Sequence, residues 1–200
     1  MLRYCVVVLD SSIAMMATDL QPTRLSATCS ALTKFTHEWF DQNPVGSMAL
    51  VAIRSNVSHT LSPLTSIPRH LTEALSSLGG LQQAAVAADG TPTQPAMAPA
   101  VAAMADGGPI MVGSFSMQSA LDSAAHELSL VPTAGHKEVL LVHAALSSVD
   151  AGDVMSSIGG LVDKGITVHV IGLAGEVYIA KRTTEVRSRN ELALCKPGQW

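Results

Sequence analysis

The chain has 200 residues, of which 48% are hydrophobic and 14% charged, and its 12 Lys+Arg against 16 Asp+Glu give a formal net charge of −4. This length and apolar content predict one globular domain with a sizeable core, and they argue against a wholly disordered protein. The mild acidity argues against strong direct nucleic-acid binding, and no window approaches the roughly 18 uninterrupted apolar residues of a membrane span.

The first predicted strand covers residues 4–9, a valine-rich run without polar alternation that is typical of a strand buried on both faces. Apolar residues at steps of three and four then predict a helix over residues 22–40. Pro22 suits the first turn of this helix, and Thr18 or Asp19 is its expected cap.

The same two patterns predict three more helices and four more strands. The helices cover residues 68–78, 116–130 and 154–164, and the strands cover residues 48–53, 57–61, 139–143 and 166–171. The short connection between the second and third strands predicts an antiparallel pair, whereas alternating strands and helices elsewhere predict parallel strands covered on both faces. The predicted fold class is a doubly wound, Rossmann-like α/β domain with a mostly parallel sheet and one antiparallel edge strand.

Two segments differ in composition from the rest of the chain. Residues 79–113 are mostly Ala, Gly, Pro, Thr and Gln, which predicts a flexible low-complexity surface insertion, or alternatively partial alanine-rich helix. Gly79 and Gly80 are expected to end the preceding helix. Residues 181–200 form a polar, basic tail, so the predicted domain spans residues 1–180 with the insertion inside it.

Ligands of such sheets bind at the carboxyl ends of the strands, where the first strand is followed by the string DSSIA. This string resembles the D-x-S-x-S motif of von Willebrand factor A (VWA) domains, whose three loops bind magnesium. Asp10 and Ser12 match, but Ala14 has no side-chain oxygen. Phe115 aligns with the threonine of the second loop, unless a shift of one residue places a serine there, and Ala145 replaces the aspartate of the third. We therefore expect a degenerate remnant that binds no metal ion, with Asp10 accepting backbone N–H bonds in the following turn.

Longer strings give a narrower resemblance. EWFDQNP, PTAGHKEVLLVHAALSSVD and ITVHVIGLAGEV resemble the VWA subunits of TFIIH that regulate the XPD helicase, and the likeness covers roughly residues 2–177 apart from the insertion. It implies a nuclear, non-catalytic scaffold that binds XPD and other TFIIH subunits in nucleotide excision repair and transcription initiation. The family's last strand and its cysteine-rich zinc-binding region are not recognisable.

Enzymatic interpretations find less support in the sequence. It contains no GxSxG, GxGxxG, GxxxxGK[ST] or complete HExxH motif, so we expect no catalytic residue and no cofactor. Ser11 or Ser12 could pair with His143 at the same sheet edge, but a nucleophile also needs its base within hydrogen-bond reach. Three widely separated cysteines, none in a CxxC pair, argue against a disulfide framework.

A binding surface remains as the favoured interpretation. Leu146 stands where a metal-binding VWA domain has a glycine, and a leucine at this rim should either fold back into the core or be covered by a partner. The resemblance implies helicase contact here, so we expect Leu146, Ser147 and Ser148 to form part of the interface. Two alternatives stay open, a VWA ubiquitin receptor of the proteasome and a metal-dependent ligand-binding A domain.

Overall fold

A computed structural model describes residues 2–80 and 113–174 of the chain. Its strands are β1 (Arg3–Asp10), β2 (Ser47–Arg54), β3 (Val57–Thr65), β4 (His136–His143) and β5 (Thr167–Gly172). Its helices are α1 (Arg24–Gln42), α2 (Pro68–Gly80), α3 (Met117–Ser129) and α4 (Val154–Asp163), and a short 3₁₀ helix (Ile13–Met16) follows β1. The predicted insertion, apart from its ends, and the predicted basic tail lie outside the described residues.

The five strands form one sheet in the order β3-β2-β1-β4-β5. Strand β1 is parallel to both β2 and β4, β5 is parallel to β4, and β3 is antiparallel to β2 at the edge. The predicted fold class is therefore confirmed. The winding reverses between β1 and β4, and the pairing of Leu9 with Val142 brings the carboxyl ends of these two strands side by side.

The core consists of two apolar layers, one on each face of the sheet. On β1, Val7 and Leu9 point toward the layer formed with α1 and α2, whereas Val6 and Val8 point toward the layer formed with α3 and α4. Burial of both faces explains why β1 shows no polar alternation in sequence. No helix among the described residues is long and apolar enough to cross a membrane.

Helix α1 begins later than predicted and has a different cap. Its first residue is Arg24, and the side chain of Thr23 accepts the backbone N–H of the residue three positions on, at 3.3 Å. The predicted caps, Thr18 and Asp19, were wrong, because the carboxylate of Asp19 instead accepts two bonds from the Arg24 guanidinium, at 2.7 and 2.8 Å. This pair lowers the pKa of Asp19 through the charged hydrogen bond.

Other element bounds differ because backbone pairing, rather than side-chain pattern, sets them. Gly79 and Gly80, which were expected to follow the end of this helix, are instead the last two residues of α2. Strand β3 continues to Thr65 along β2, and β4 begins at His136, where it already pairs with β1. The sequence pattern did not predict either extension, because these strand ends contain polar residues.

Candidate functional site

The candidate site lies at the carboxyl ends of β1 and β4, and Asp10 is at its centre. This residue is completely buried, and its carboxylate accepts three backbone N–H bonds. Ser12 donates to Oδ1 at 2.7 Å, while Ala144 and Ala145 donate to Oδ2 at 3.0 and 3.2 Å. The bond within the turn was predicted and is confirmed, whereas the two bonds from the loop after β4 were not predicted.

The serines and the histidine at this edge form no catalytic pair. The Ser11 hydroxyl donates to the carbonyl of Ile53 at 2.7 Å. His143 Nδ1 lies 3.1 Å from the carbonyl oxygen of Ala145, while its Nε2 and the Ser12 hydroxyl are both buried without any hydrogen-bond partner. Since neither atom is bonded to the other, the geometry needed to activate a serine nucleophile is not formed.

An aromatic ring lies at the position that the sequence comparison aligns with the threonine of a metal-binding VWA domain. The Phe115 ring stacks on the His143 imidazole, with centroids 5.6 Å apart and planes 14° apart. Burial lowers the pKa of His143 below its usual 6.5, and the Ala145 carbonyl and the Asp10 carboxylate oppose that effect only partly. The imidazole is therefore neutral at physiological pH and packs as part of the core.

The shifted alignment, with a serine in place of Phe115, offers no free hydroxyl either. Ser114 donates its hydroxyl to Asn56 Oδ1 at 3.0 Å. Ser116 donates to Asp150 Oδ1 at 2.8 Å and caps α3 by accepting the N–H of the residue three positions on. Both serines therefore serve local structure.

These residues do not fit the magnesium ion of the fold family. Magnesium requires near-octahedral oxygen ligands at about 2.1 Å, usually including carboxylates. Here Ala14 and Ala145 supply no side-chain oxygen, and both oxygens of Asp10 already accept N–H bonds. Residues 2–80 and 113–174 contain no group of three His, Cys, Asp or Glu side chains that could bind a metal ion.

The β4–α4 loop, residues 144–153, is fixed at its second half by the amino end of α3. Ser148 Oγ accepts the Met117 N–H at 2.7 Å, and Asp150 Oδ1 accepts the Gln118 N–H at 2.9 Å. These bonds satisfy helix N–H groups that have no partner within the helix, and they place a negative charge at its positive end. The loop is thus held at one end by β1 and at the other by α3.

The same loop exposes apolar side chains at its tip. Leu146 is 68% exposed and Val149 is 53% exposed. Ser147 is exposed as well, while Ser148 is partly buried and its hydroxyl is engaged with α3. Of the three residues proposed for an interface, Leu146 and Ser147 are accessible, and Ser148 shapes the loop that presents them.

Comparison with known proteins gives sequence relatives over most of the chain. A family model described as Ssl1-like matches residues 8–93 and 99–192. General transcription factor IIH subunit 2 of Arabidopsis thaliana is 31% identical over 181 residues, which are 90% of this chain and 36% of that protein. General transcription and DNA repair factor IIH subunit ssl1 of Schizosaccharomyces pombe is 28% identical over 180 residues, again 90% of this chain and 36% of the relative. The chain therefore spans little more than a third of these relatives.

Solved structures resemble the chain in fold. The VWA domain of SpRpn10 has a TM-score of 0.62 at 15% identity, with 92% of this chain and 82% of that chain covered. The TFIIH p34 N-terminal domain has a TM-score of 0.56 at 16% identity, with 93% and 88% covered. At these identities the likeness shows the fold alone, and it confirms the VWA-type fold that the DSSIA string indicated.

Proposed function

Because the chain belongs to the Ssl1-like family, we propose that it acts as a non-catalytic VWA scaffold of the nuclear factor TFIIH. In this role it binds other TFIIH subunits and stimulates the XPD helicase during nucleotide excision repair and RNA polymerase II transcription initiation. The proposal is supported by relatives that are named as subunits of this factor. It is also supported by a sheet edge where metal ligands are replaced by backbone bonds and core packing.

The observation that carries the proposal is the exposed leucine of the β4–α4 loop. Leu146 is 68% exposed, although Ala145 before it and Ser148 two residues after it are held by hydrogen bonds. A leucine covered by a partner contributes roughly 1–3 kcal/mol by burial. Because the loop is already ordered, association loses little conformational entropy there.

Stimulation of the helicase then follows from differential binding. A scaffold that contacts the active helicase conformation more strongly than the inactive one shifts the population toward the active state. No chemistry by the scaffold is needed for this effect.

Replacing Leu146 with glutamate tests the interface, and Leu130→Glu is its matched control. Both leucines are 68% exposed, but Leu130 lies after α3 at the opposite edge of the sheet. We expect L146E to weaken the binding of purified XPD about tenfold or more, which corresponds to roughly 1.4 kcal/mol. L130E should bind normally, and both variants should retain the urea midpoint of the parent. Equal binding by both variants would remove Leu146 from the interface.

Affinity purification of the tagged chain from its native cells, followed by mass spectrometry, tests the function itself. We expect recovery of the helicase and other TFIIH subunits. Recovery of proteasome subunits in their place would favour the ubiquitin-receptor alternative. Calorimetric titration with magnesium tests the metal-dependent alternative. A saturable heat of binding with micromolar affinity would favour that alternative.

A further inference from the structure

We propose that Asp10 is a positioning residue that binds backbone N–H groups where metal-binding VWA domains hold a cation. Its carboxylate fixes the first half of the β4–α4 loop directly, so that docking through Leu146 requires no divalent cation. The second part of this inference rests on the proposed function, whereas the first concerns the chain alone.

The hydrogen bonds of Asp10 show why a cation is not needed. In a metal-binding site, a cation would balance the charge of a buried carboxylate and link the loops around it. Here the positive ends of three N–H dipoles converge on Asp10, from Ser12 on its own turn and from Ala144 and Ala145 on the next loop. Charge-assisted bonds of this kind are roughly twice as strong as neutral ones, so the carboxylate is stabilised without a metal ion.

The position of the donors determines what the carboxylate controls. Ala145 immediately precedes Leu146, so its bond to Asp10 sets the backbone direction at the exposed leucine. The second fixed point, Ser148 on the α3 N-terminus, follows two residues later. Only Leu146 and Ser147 lie between these two supports, and this short span leaves little freedom for the leucine to turn inward.

Two buried atoms without hydrogen-bond partners are the structural reason to test whether a cation does bind at this edge. The Ser12 hydroxyl and His143 Nε2 are buried at the same edge without hydrogen-bond partners. A cation that displaced the N–H donors would use Asp10 as its anion, and these two atoms are the polar groups at this edge that no hydrogen bond occupies. The test must therefore detect binding of a divalent cation directly at these residues.

Nuclear magnetic resonance of the isotope-labelled 200-residue chain provides this test without a variant or a partner. Manganese, a paramagnetic substitute for magnesium, is titrated while the amide resonances of Ser12, Ala144 and Ala145 are followed. We expect no broadening beyond that of exposed acidic residues such as Asp163. Selective broadening of the three resonances at micromolar manganese would overturn the proposal.

Asp10→Asn tests the positioning role, with Asp163→Asn as an equal change of charge at an exposed position. We expect hydrogen-exchange protection of the Ala144 and Ala145 amides to fall about tenfold or more in D10N, with little change at Val6 and none in D163N. Unchanged protection in D10N would refute the role of the carboxylate. A uniform loss that includes Val6 would refute it too, because the residue would then support the whole fold.

Binding of the helicase, measured without nucleotide, tests the functional part. We expect the parent chain to bind equally in chelator and in millimolar magnesium, and D10N to bind about tenfold more weakly although Asp10 is buried. Binding that requires magnesium, or normal binding by D10N, would refute this part. If the parent chain does not bind the helicase at all, the proposed function fails, while the magnetic resonance result still decides the role of Asp10.

Discussion

Replacing Gly46 with alanine should destabilise the chain, because the added methyl group has no space. An ideal Cβ at this position would lie 2.4 Å from Trp39 Cη2, 2.6 Å from Trp39 Cζ3 and 3.0 Å from the carbonyl oxygen of Asn43. The indole cannot move away easily, since it is buried and packs edge-on against Phe40 with ring centroids 4.9 Å apart. Overpacking of this kind reduces the free energy of unfolding by about 1–3 kcal/mol.

Gly159→Ala provides the matched control. Gly159 lies inside α4, and a Cβ built there has nothing within 4 Å. Alanine should therefore raise the free energy of unfolding by about 0.5–1 kcal/mol through helix propensity. The assay is urea denaturation, in which the two variants should shift the midpoint in opposite directions at an unchanged slope. A G46A midpoint at or above that of the parent would show that the contact around Trp39 is not as tight as described.

The G46A variant also tests whether the EWFDQNP segment, the most specific part of the family resemblance, supports the fold rather than the binding of a partner. Within EWFDQNP, the Asn43 side chain donates to the Trp39 carbonyl at 2.8 Å and accepts from Arg3 Nη1 at 3.1 Å, while its carbonyl accepts the Gly46 N–H at 2.8 Å. This corner joins α1 to β2 at the amino edge of the sheet, opposite the β4–α4 loop. G46A should therefore leave helicase affinity unchanged at temperatures where it is folded.

Two further predictions follow from shifted pKa values. Burial raises the pKa of Cys5 and of Cys29 to about 12, so neither thiol should react with iodoacetamide at about pH 8 until the chain is unfolded. Peptide mass mapping of the native chain should show no label at these two positions, and a label at either one would contradict its burial. Burial lowers the pKa of His143 below its unfolded value of 6.5, so its neutral form favours the folded state. The free energy of unfolding should therefore decline as the pH falls below 6.5 toward the folded pKa. The urea midpoint of His143→Gln should decline less over the same pH range. An identical pH profile in the parent and the variant would show that His143 is not the cause of the decline.

The architecture was predictable because each helix or strand shows a hydrophobic pattern that is repeated along its whole length. The uninterrupted valines of β1 indicate burial on both faces, and the three- and four-residue spacing in α1 indicates one apolar side. Single-residue features were less predictable. Thr18, Asp19 and Thr23 can all cap a helix, and only the path of the chain before α1 determines that Thr23 does so.

The sequence predicts which metal-ligand oxygens the candidate site lacks, but not which hydrogen bonds are formed in their place. Sequence alone shows that Ala14 and Ala145 lack the oxygens of a metal site. It cannot show that the backbone N–H groups of Ala144 and Ala145 bind Asp10, since every residue except proline has such a donor and the partners are more than 130 residues apart. Likewise, Ser148 was assigned to the interface as a neighbour of Leu146, while its bond to α3 depends on tertiary structure.

The β4–α4 loop reverses the usual arrangement of a surface loop, and this reversal supports the proposed interface more strongly than exposure alone. An isolated exposed leucine such as Leu130 is common and needs no explanation. In the β4–α4 loop, however, the polar side chains of Ser148 and Asp150 point inward to α3, while Leu146 and Val149 face solvent. A free loop would lower its energy by exchanging these roles, but the bonds to Asp10 and to α3 prevent the exchange. Fixed polar anchors beneath an apolar tip are the arrangement expected where a partner protein covers the tip.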